Sequence, residues 1–218
     1  LDNKKTVDKS RLNVKDILAF ADEVKIEDIE PIIKRQIEVN LAISDKGLEE
    51  KFGAEVGRTI LKYNDSQDVR IKAKAMAAAG SDARMSGCAM PVVINSGSGN
   101  QGLTVSIPVI VYAREKNFSN EELYRALVVS NLISLHQKRY IGNLSAYCGA
   151  TSAGCAAACG IAYLDHSSYE VICNTIINSI CTIGGMVCDG AKSSCAGKIA
   201  SAVEAGILAY SMAKDGKV

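Results

Sequence analysis

The stretch YIGNLSAYCGATSAGCAAACGIAYL, residues 140–164, carries no charged residue and consists largely of alanine, glycine, serine and cysteine. Residues 85–113 and 171–188 are uncharged in the same way. Their length would suit a membrane span, but the many small and polar residues make all three stretches too weakly hydrophobic for one. We therefore predict buried helices that pack closely through small residues, and no membrane association.

Outside these stretches, charge is concentrated near the start of the chain. Residues 1–84 hold 32 of the 49 charged residues, 16 basic and 16 acidic. Pro31 lies near the start of the apolar group that begins at Ile29, and the first turn of a helix tolerates a missing N–H. Four groups of apolar residues recur at helical spacing: Val14, Ile17, Leu18, Ala21 and Val24; Ile29, Ile33, Ile37 and Leu41; Leu48, Phe52, Val56 and Ile60; Val69, Ala73, Met76 and Ala77.

The clearest local signal in the chain is a helix start at Ser119. Ser119 and Glu122 form a capping box, and Phe118 and Leu123 are placed as its hydrophobic staple. A helix should follow and end just before Gly142, because glycine commonly ends a helix.

Together these patterns predict an all-α or predominantly α fold, a multi-helix bundle with buried small-residue helices and a Gly/Ser-rich loop. We expect one helical domain over residues 1–218. Within it, residues 1–84 would form charged amphipathic helices, and residues 85–218 a low-charge core that carries the loop and several cysteines.

The composition narrows the possible partners and the compartment. A net charge of +1 leaves no broad positive surface for nucleic acid, so we expect a small-molecule ligand. Eight cysteines would allow disulfides, but a chain of 218 residues can bury a core without them, and residues 1–10 do not resemble a signal peptide. We therefore expect the cytoplasm. The chain begins with Leu1 in a charged segment, which indicates a piece of a longer protein.

A glycine-rich loop interrupts the first uncharged stretch. Residues 97–102 match G-x-G-x-x-G, and residues 91–94 resemble a strand, but residues 103–108 are rich in β-branched residues and contain a proline. This context argues against a dinucleotide site. Ser96, Ser98, Asn100 and Gln101 nonetheless place polar side chains among glycines, a pattern that suits an amino-acid carboxylate. A tight turn between two buried helices explains the loop equally well.

The cysteines offer more than one possible ligand set for a metal centre. On an uninterrupted helix, Cys148, Cys155 and Cys159 would share a face, although free cysteine is also a common core residue. Cys188 and Cys195 could instead join Cys148, provided that the chain breaks between them, since seven residues of helix rise about 10 Å. Spacing alone leaves both sets open. Neither histidine, His136 nor His166, lies at a zinc-site spacing from a cysteine.

Four segments resemble the iron-sulfur-dependent serine dehydratase alpha-chain family, most closely its cysteine desulfidase branch. The resemblance covers essentially the whole chain and is strongest from Met85 to Gly197. The segments are Ser86-Gly87-Cys88-Ala89-Met90-Pro91, Asn95-Ser96-Gly97-Ser98-Gly99-Asn100-Gln101-Gly102, Tyr147-Cys148-Gly149-Ala150 and Cys188-Asp189-Gly190-Ala191-Lys192.

The resemblance implies a four-iron four-sulfur cluster held by Cys148, Cys188 and Cys195. The intervals of 40 and 7 residues between these cysteines are similar to those of the desulfidase branch. Three thiolates leave one iron open as a Lewis acid, and a cluster with an open iron is readily lost in oxygen. The implied reaction is an α,β-elimination that converts L-cysteine to pyruvate, ammonia and sulfide, with L-serine as the alternative substrate.

The family resembled is about twice as long as this chain. Its further cysteine, a base or nucleophile in the amino-terminal part, has no match here, and Cys88 is not that residue. The resemblance therefore implies a missing N-terminal half of the same protein as partner, and a homo-oligomer is compatible with it.

On this chain the substrate would be oriented by the loop residues, chiefly through its carboxylate. The candidate substrate-binding residues are Asn95, Ser96, Ser98, Asn100, Gln101 and Lys192, with Arg139 as a further cation. Three alternatives are a pyridoxal-phosphate lyase, a redox iron-sulfur carrier and a non-catalytic helical binding or scaffold fragment without a cluster.

Overall fold

The computed structural model describes residues 11–142 and 145–218, and within these ranges every regular element is a helix. The prediction of a predominantly α fold is therefore confirmed. Residues 1–10, for which the sequence predicts a charged segment without a signal peptide, lie outside the described residues. The helices are α1 (Val14–Glu23), α2 (Ile26–Glu49), α3 (Val56–Tyr63), α4 (Val69–Met85), α5 (Gly99–Glu115), α6 (Asn120–Ile141), α7 (Gly149–Leu164), α8 (Tyr169–Ile183) and α9 (Ser194–Lys214).

The amphipathic helices near the start of the chain bury about half of the apolar residues that their spacing predicts. Asn13 caps α1 by accepting a hydrogen bond from the Asp16 N–H at 3.0 Å. Pro31 lies later than predicted, in the second turn of α2, because that helix already begins at Ile26. The buried members of the predicted groups include Ile17 and Ala21 in α1, Ile33, Ile37 and Leu41 in α2, and Ala73, Met76 and Ala77 in α4.

The capping box at the start of α6 is formed as predicted. The Ser119 hydroxyl accepts a hydrogen bond from the Glu122 N–H at 3.2 Å, and the Ser119 N–H donates to the Glu122 carboxylate at 2.8 Å. The helix ends at Ile141, and Gly142 follows with a positive φ of 78°. Both ends of α6 therefore follow from local sequence.

The prediction of one helix through Leu48, Phe52 and Val56 is wrong. Leu48 lies in the last turn of α2, Phe52 lies in the segment between the two helices, and α3 begins at Val56. Gly53 and Glu55 in this turn have positive φ angles of 54° and 50°. A left-handed backbone cannot continue a right-handed helix, so the apolar spacing spans two elements.

The segment after the glycine-rich loop is helical despite its unfavourable composition. Residues 103–108, including Pro108, lie inside α5 and are buried. Ser98 caps this helix by accepting a hydrogen bond from the Gln101 N–H at 3.4 Å. Burial of the whole segment outweighs its weak helix propensity. Residues 91–94 do not form a strand, so the loop connects two buried helices, α4 and α5.

Helices α7 and α9 cross closely through residues without large side chains. A Cβ added to Gly154 would lie 2.5 Å from the Ala202 carbonyl carbon and oxygen. One turn further along α9, Gly206 faces Gly154 and Ala158 in the same way. Since later residues of α7 meet later residues of α9, the two helices run parallel.

Helix α5 runs in the same direction as α7, and α4 runs opposite to α5. Gly149, the first residue of α7, faces the Gln101 side chain in the first turn of α5, while Gly160 faces Val109 further along. At the end of α4, Arg84 contacts Asn100 of α5. The N-termini of α5, α7 and α9 and the C-terminus of α4 therefore meet at one end of the molecule.

The three uncharged stretches supply most of this core. They contain nearly all of α5, α7 and α8, and only two residues of α7 are not fully buried. Among the described residues, no helix combines the length and the hydropathy that crossing a membrane requires.

We expect Gly154→Leu to destabilise the protein by about 1–3 kcal/mol, because the added side chain overlaps the α9 backbone. Gly197→Ala is the matched control, since a Cβ at Gly197 meets no atom within 4 Å. The control should raise the free energy of unfolding by up to about 1 kcal/mol through helix propensity. Urea denaturation of both variants measures this. Equal stability of Gly154→Leu and the parent protein would contradict the close crossing.

A buried carboxyl group at Asp82 links α4 to the start of α3. Asp82 is 1% exposed, and its Oδ2 accepts a hydrogen bond from the Gly57 N–H at 3.0 Å. Burial raises the pKa of Asp82 to about 6, although the backbone N–H groups of Gly57 and Val56 lower it. The other oxygen has no hydrogen-bond partner among the described residues.

We expect Asp82 to make the protein less stable as the pH rises from about 4 to about 6. The folded state has the higher pKa, so in this window it binds more protons than the unfolded state and loses that advantage as the pH rises. The loss is at most about 3 kcal/mol, at 1.36 kcal/mol for each pKa unit. Urea denaturation between pH 4 and 7 should show a smaller loss for Asp82→Asn. The exposed Asp65→Asn variant controls for the lost charge. If the stability of Asp82→Asn falls with pH as much as that of the parent protein, the assignment is contradicted.

Candidate functional site

Cys148 and Cys188 are brought together by a short antiparallel pairing of two loops. The Cys148 N–H donates to the Met186 carbonyl at 2.8 Å, and the Cys188 N–H donates to the Ala146 carbonyl at 2.7 Å. Tyr147 and Val187 form the bridge between these bonds. Cys148 also occupies the N-cap position of α7. Two cysteines that lie 40 residues apart in the chain are thus held in one loop pairing, diagonally across the Tyr147–Val187 bridge.

Cys195 joins the same end of the molecule from the first turn of α9. The chain between Cys188 and Cys195 is not helical up to Ser193, and Gly190 turns it with a φ of 93°. The Cys195 sulfur lies 3.6 Å from the Gly190 carbonyl oxygen and 3.5 Å from the Lys192 nitrogen. The break that the spacing argument requires is therefore present.

Cys188 and Cys195 both lie close enough to Cys148 to affect its pKa. Burial raises the pKa of Cys148, and nearby Cys188 and Cys195 raise it further, while Lys198 and the Ala150 N–H lower it. Charges act in this way only over short distances in a protein. Cys188 and Cys195 therefore lie near Cys148, close to the N-termini of α7 and α9, although the net effect of the surroundings is to raise the pKa of Cys148.

Lys198 holds the loop that carries Cys188. Its Nζ donates to the Val187 carbonyl at 3.0 Å and forms an ion pair with Asp189. Lys192, a predicted substrate-binding residue, lies 3.5 Å from the same Asp189 carboxylate with 59% of its side chain exposed. Both lysines therefore contact the cysteine loop, and Lys198 was not identified from the sequence.

Three cysteine thiols are the type of donor that iron-sulfur clusters take. Among residues 11–142 and 145–218, no three histidine, cysteine, aspartate or glutamate side chains lie close enough together to hold one ion. A cluster of four irons is broader than an ion, so its thiol ligands stand further apart. Cys148, Cys188 and Cys195 supply three sulfur donors at one positively polarised end of the molecule, which suits an anionic cluster.

The other cysteine set is buried inside the helical core. Cys155 and Cys159 have no exposed surface, and the Gln137 side-chain amide donates to the Cys155 sulfur at 3.2 Å. Burial raises the pKa of Cys159, while hydrogen bonds with Cys159 and Gln137 lower the pKa of Cys155. Cys148 caps α7 instead of lying within it, so these three residues do not form one exposed face.

The histidines lie away from the cysteine loops. The His136 Nδ1 is 2.5 Å from the Leu12 carbonyl oxygen, and His166 is near Glu122 beyond the opposite end of α7. Arg139, the further cation considered from the sequence, donates to the same Leu12 carbonyl at 3.0 Å. His136 and Arg139 thus hold α6 against Leu12, near the start of the described chain.

The predicted substrate loop divides into an interior part and a part near the cysteines. Asn95 is buried and donates to the Asn131 side chain at 2.9 Å. Ser96 donates to Asn95 at 2.9 Å and lines a groove of about 1300 Å³ between α1 and α6. Backbone hydrogen bonds in both directions between Asn95 and Ser98 close the turn. Asn95, Ser96 and Ser98 therefore make contacts that shape the loop itself.

Asn100 and Gln101 lie in the first turn of α5, next to the cysteine loops. Gln101 packs directly against Gly149, the residue after Cys148, where an added Cβ would lie 2.4 Å from the amide carbon of Gln101. The Asn100 oxygen accepts a hydrogen bond from Arg84 at 3.2 Å. Arg84 was missed by the sequence analysis because helical spacing does not relate the end of one helix to the start of the next.

Comparison with known proteins identifies relatives over almost the whole chain. The family model described as "Serine dehydratase alpha chain" matches residues 2–218. A UPF0597 protein of Desulfitobacterium hafniense is 59% identical over 96% of this chain and 49% of its own length. UPF0597 proteins of Treponema denticola and Lachnoclostridium phytofermentans are 54% and 55% identical, over 96% and 97% of this chain and 49% and 51% of their own lengths.

The chain thus spans about half the length of the curated relatives it matches. No solved structure matches it.

We expect Lys198→Met to loosen the Cys188 loop, because it removes both the hydrogen bond to Val187 and the ion pair with Asp189. Amide hydrogen exchange over residues 187–193 should become several-fold faster, while exchange in α7 stays unchanged. Lys192→Met is the matched control, since Lys192 makes only the longer contact with Asp189. Equal exchange in the two variants would contradict the role of Lys198.

Proposed function

The chain belongs to the serine dehydratase alpha-chain family, and from this premise we propose that it is part of an iron-sulfur-dependent lyase acting on a small L-amino acid. The observation that carries the proposal is the grouping of Cys148, Cys188 and Cys195 at the shared end of α5, α7 and α9. The Lys198 contact with the cysteine loop supports it, since it orders a segment that otherwise has few buried contacts.

Cys148, Cys188 and Cys195 would hold a four-iron four-sulfur cluster through their thiolates. Such a cluster supplies a Lewis acid, because three protein ligands leave one iron open to the substrate. The chain itself contributes the thiolates, the helix N-termini that stabilise their negative charge, and polar groups of α5 that face the same end. It offers no residue matching the base of the resembled family, which we propose lies in the other half of the full-length protein.

L-cysteine is the substrate we propose, with L-serine as the alternative. The overall reaction consumes L-cysteine and water and yields pyruvate, ammonia and hydrogen sulfide; from L-serine it yields pyruvate and ammonia. The carbon–heteroatom bond at Cβ and the proton at Cα are both lost, and water replaces the amino group. The intervals of 40 and 7 residues between the cysteines favour the desulfidase branch. The reducing cytoplasm is the compartment in which such thiolates persist.

A second candidate function is a non-catalytic helical domain that binds the other half of the protein. It is favoured by the share of the relatives that this chain covers, about half. The two candidates differ in whether the complete gene product forms pyruvate from L-cysteine or L-serine. A pyridoxal-phosphate enzyme is separated from both by trapping a Schiff base with borohydride.

Cys148→Ser should lower the bound iron and sulfide of the anaerobically reconstituted complete gene product and abolish pyruvate release. Cys181→Ser is the matched control, because Cys181 is exposed on α8 and outside the proposed ligand set. Iron and sulfide content, visible absorbance, and pyruvate and sulfide release from L-cysteine and L-serine are measured together. Full cluster content in Cys148→Ser would contradict the ligand assignment, and a protein that forms no pyruvate from either substrate would favour the non-catalytic domain.

A further inference from the structure

Exposed apolar side chains are concentrated along one groove on the surface of α1, α2 and α6. Phe20, Ile32, Ile94 and Leu135 are all exposed, Ile32 at 68% and Ile94 at 58%. Together with Leu132 they line a depression of about 300 Å³. Single exposed apolar residues are normal in soluble proteins, but a contiguous cluster marks a surface that binds another molecule.

This depression continues into the larger groove between α1 and α6. Phe20, Ser96, Leu132 and Leu135 line both, so the two form one apolar groove. The larger part follows α6 from Leu132 to Gly142, a length of about 15 Å at the rise of 1.5 Å per residue. That length matches about three turns of a bound helix.

One end of the apolar groove lies at the cysteine end of the molecule. Gln137 contacts Cys155 of α7. Ser130, which comes earlier in α6, faces Gly160, which comes later in α7. Helix α6 therefore runs opposite to α7, and its last residues lie on the same side as the N-terminus of α7. Gly142, which lines the groove, follows directly after α6.

The charges along the apolar groove differ between its two ends. Arg11, Lys138 and Arg139 line the end near the cysteines. Among the described residues, no carboxylate lies within 4.0 Å of these three cations. Asp16 and Glu23 line the groove further from that end, because the start of α1 meets the end of α6 and the end of α1 meets the start of α6. A complementary partner therefore carries carboxylates toward the cysteine end.

The other half of the full-length protein is available to fill this groove. The curated relatives contain about as many residues again as this chain covers. Residues of the same polypeptide are held near one another at a high effective concentration, so their contact needs less area than the contact between two separate proteins. This favours the rest of the polypeptide over an unrelated partner.

We propose that an amphipathic helix from the other half of the full-length protein binds in the apolar groove. Its apolar face contacts Phe20, Ile94 and Leu135, and its carboxylates pair with Lys138 and Arg139. This inference goes beyond the proposed function, since it holds with or without a cluster. It also places the other half beside the cysteine end, where the proposed function requires a base.

The proposal is tested by thiol labelling of the complete gene product. Ile32→Cys and Ile94→Cys place probes in the groove, and Tyr63→Cys is the matched control because Tyr63 is 73% exposed at the end of α3. Maleimide alkylation of each probe is followed anaerobically by peptide mass spectrometry, which separates the probes from the native cysteines, and is expressed relative to the rate in urea. Circular dichroism shows whether each variant is folded. If one probe variant is unfolded, the other gives the same comparison.

Alkylation at positions 32 and 94 should be at least about 10-fold slower than at position 63, because the reagent reacts only when the contact opens. The protection should be the same at all protein concentrations. Adding Leu135→Glu to Ile94→Cys should accelerate alkylation several-fold, since a charge in an apolar contact weakens docking. Leu208→Glu, at an exposed position of α9, should leave the rate unchanged.

Equal rates at positions 32, 94 and 63 would overturn the proposal, even if the protein is an active lyase. Protection that disappears on dilution would reveal a second copy in the groove and overturn it as well. Protection of Ile177→Cys on α8, without protection at positions 32 and 94, would overturn it by placing the docking surface elsewhere. If the groove is protected but no pyruvate forms, the docking proposal stands and the proposed function fails.

Discussion

The close contact between α7 and α9 is the constraint on which the rest of the structure depends. Because Gly154 and Gly206 have no Cβ, the two backbones approach so closely that an added Cβ would overlap the facing helix. Helices at this distance need matching positions along their whole length, so their direction and register are set together. Because α5 also runs parallel to α7, the N-termini of α5, α7 and α9 lie at the same end of the molecule. The chemistry proposed here depends on that convergence, because each terminus contributes a residue to it.

Local signals predicted helix starts and apolar faces, and the uncharged stretches predicted the buried helices, but the sequence did not show where every helix begins or how the helices pack. The capping box at Ser119 and the apolar spacing of α1 act within a few residues, so the sequence shows them directly. Pro108 lowers helix propensity locally, yet its segment is helical because burial on all sides outweighs that cost. The turn around Gly53 was not predicted, because the helical spacing of apolar residues continues across it by coincidence.

The candidate site was only partly predictable, for reasons of geometry. Motifs shared with a family singled out Cys148, Cys188 and Cys195, whereas spacing could not choose between two sets of cysteines. Contacts across distant segments decided the rest. Asn95, which the sequence predicts as a substrate-binding residue, bonds to Asn131, and Arg84 reaches the loop from the end of a different helix. Such contacts depend on how the helices pack, which a single sequence does not display.

The pairing between residues 147 and 187 also has a consequence for synthesis of the chain. Cys148 leaves the ribosome well before Cys188, and Cys195 follows only after the last loop. The proposed set of three thiols is therefore complete only once most of α9 has been made and has docked against α7. A nascent chain lacking α9 would hold Cys148 and Cys188 but not Cys195, so the proposed set could be loaded with iron and sulfide only after the start of α9 has been made.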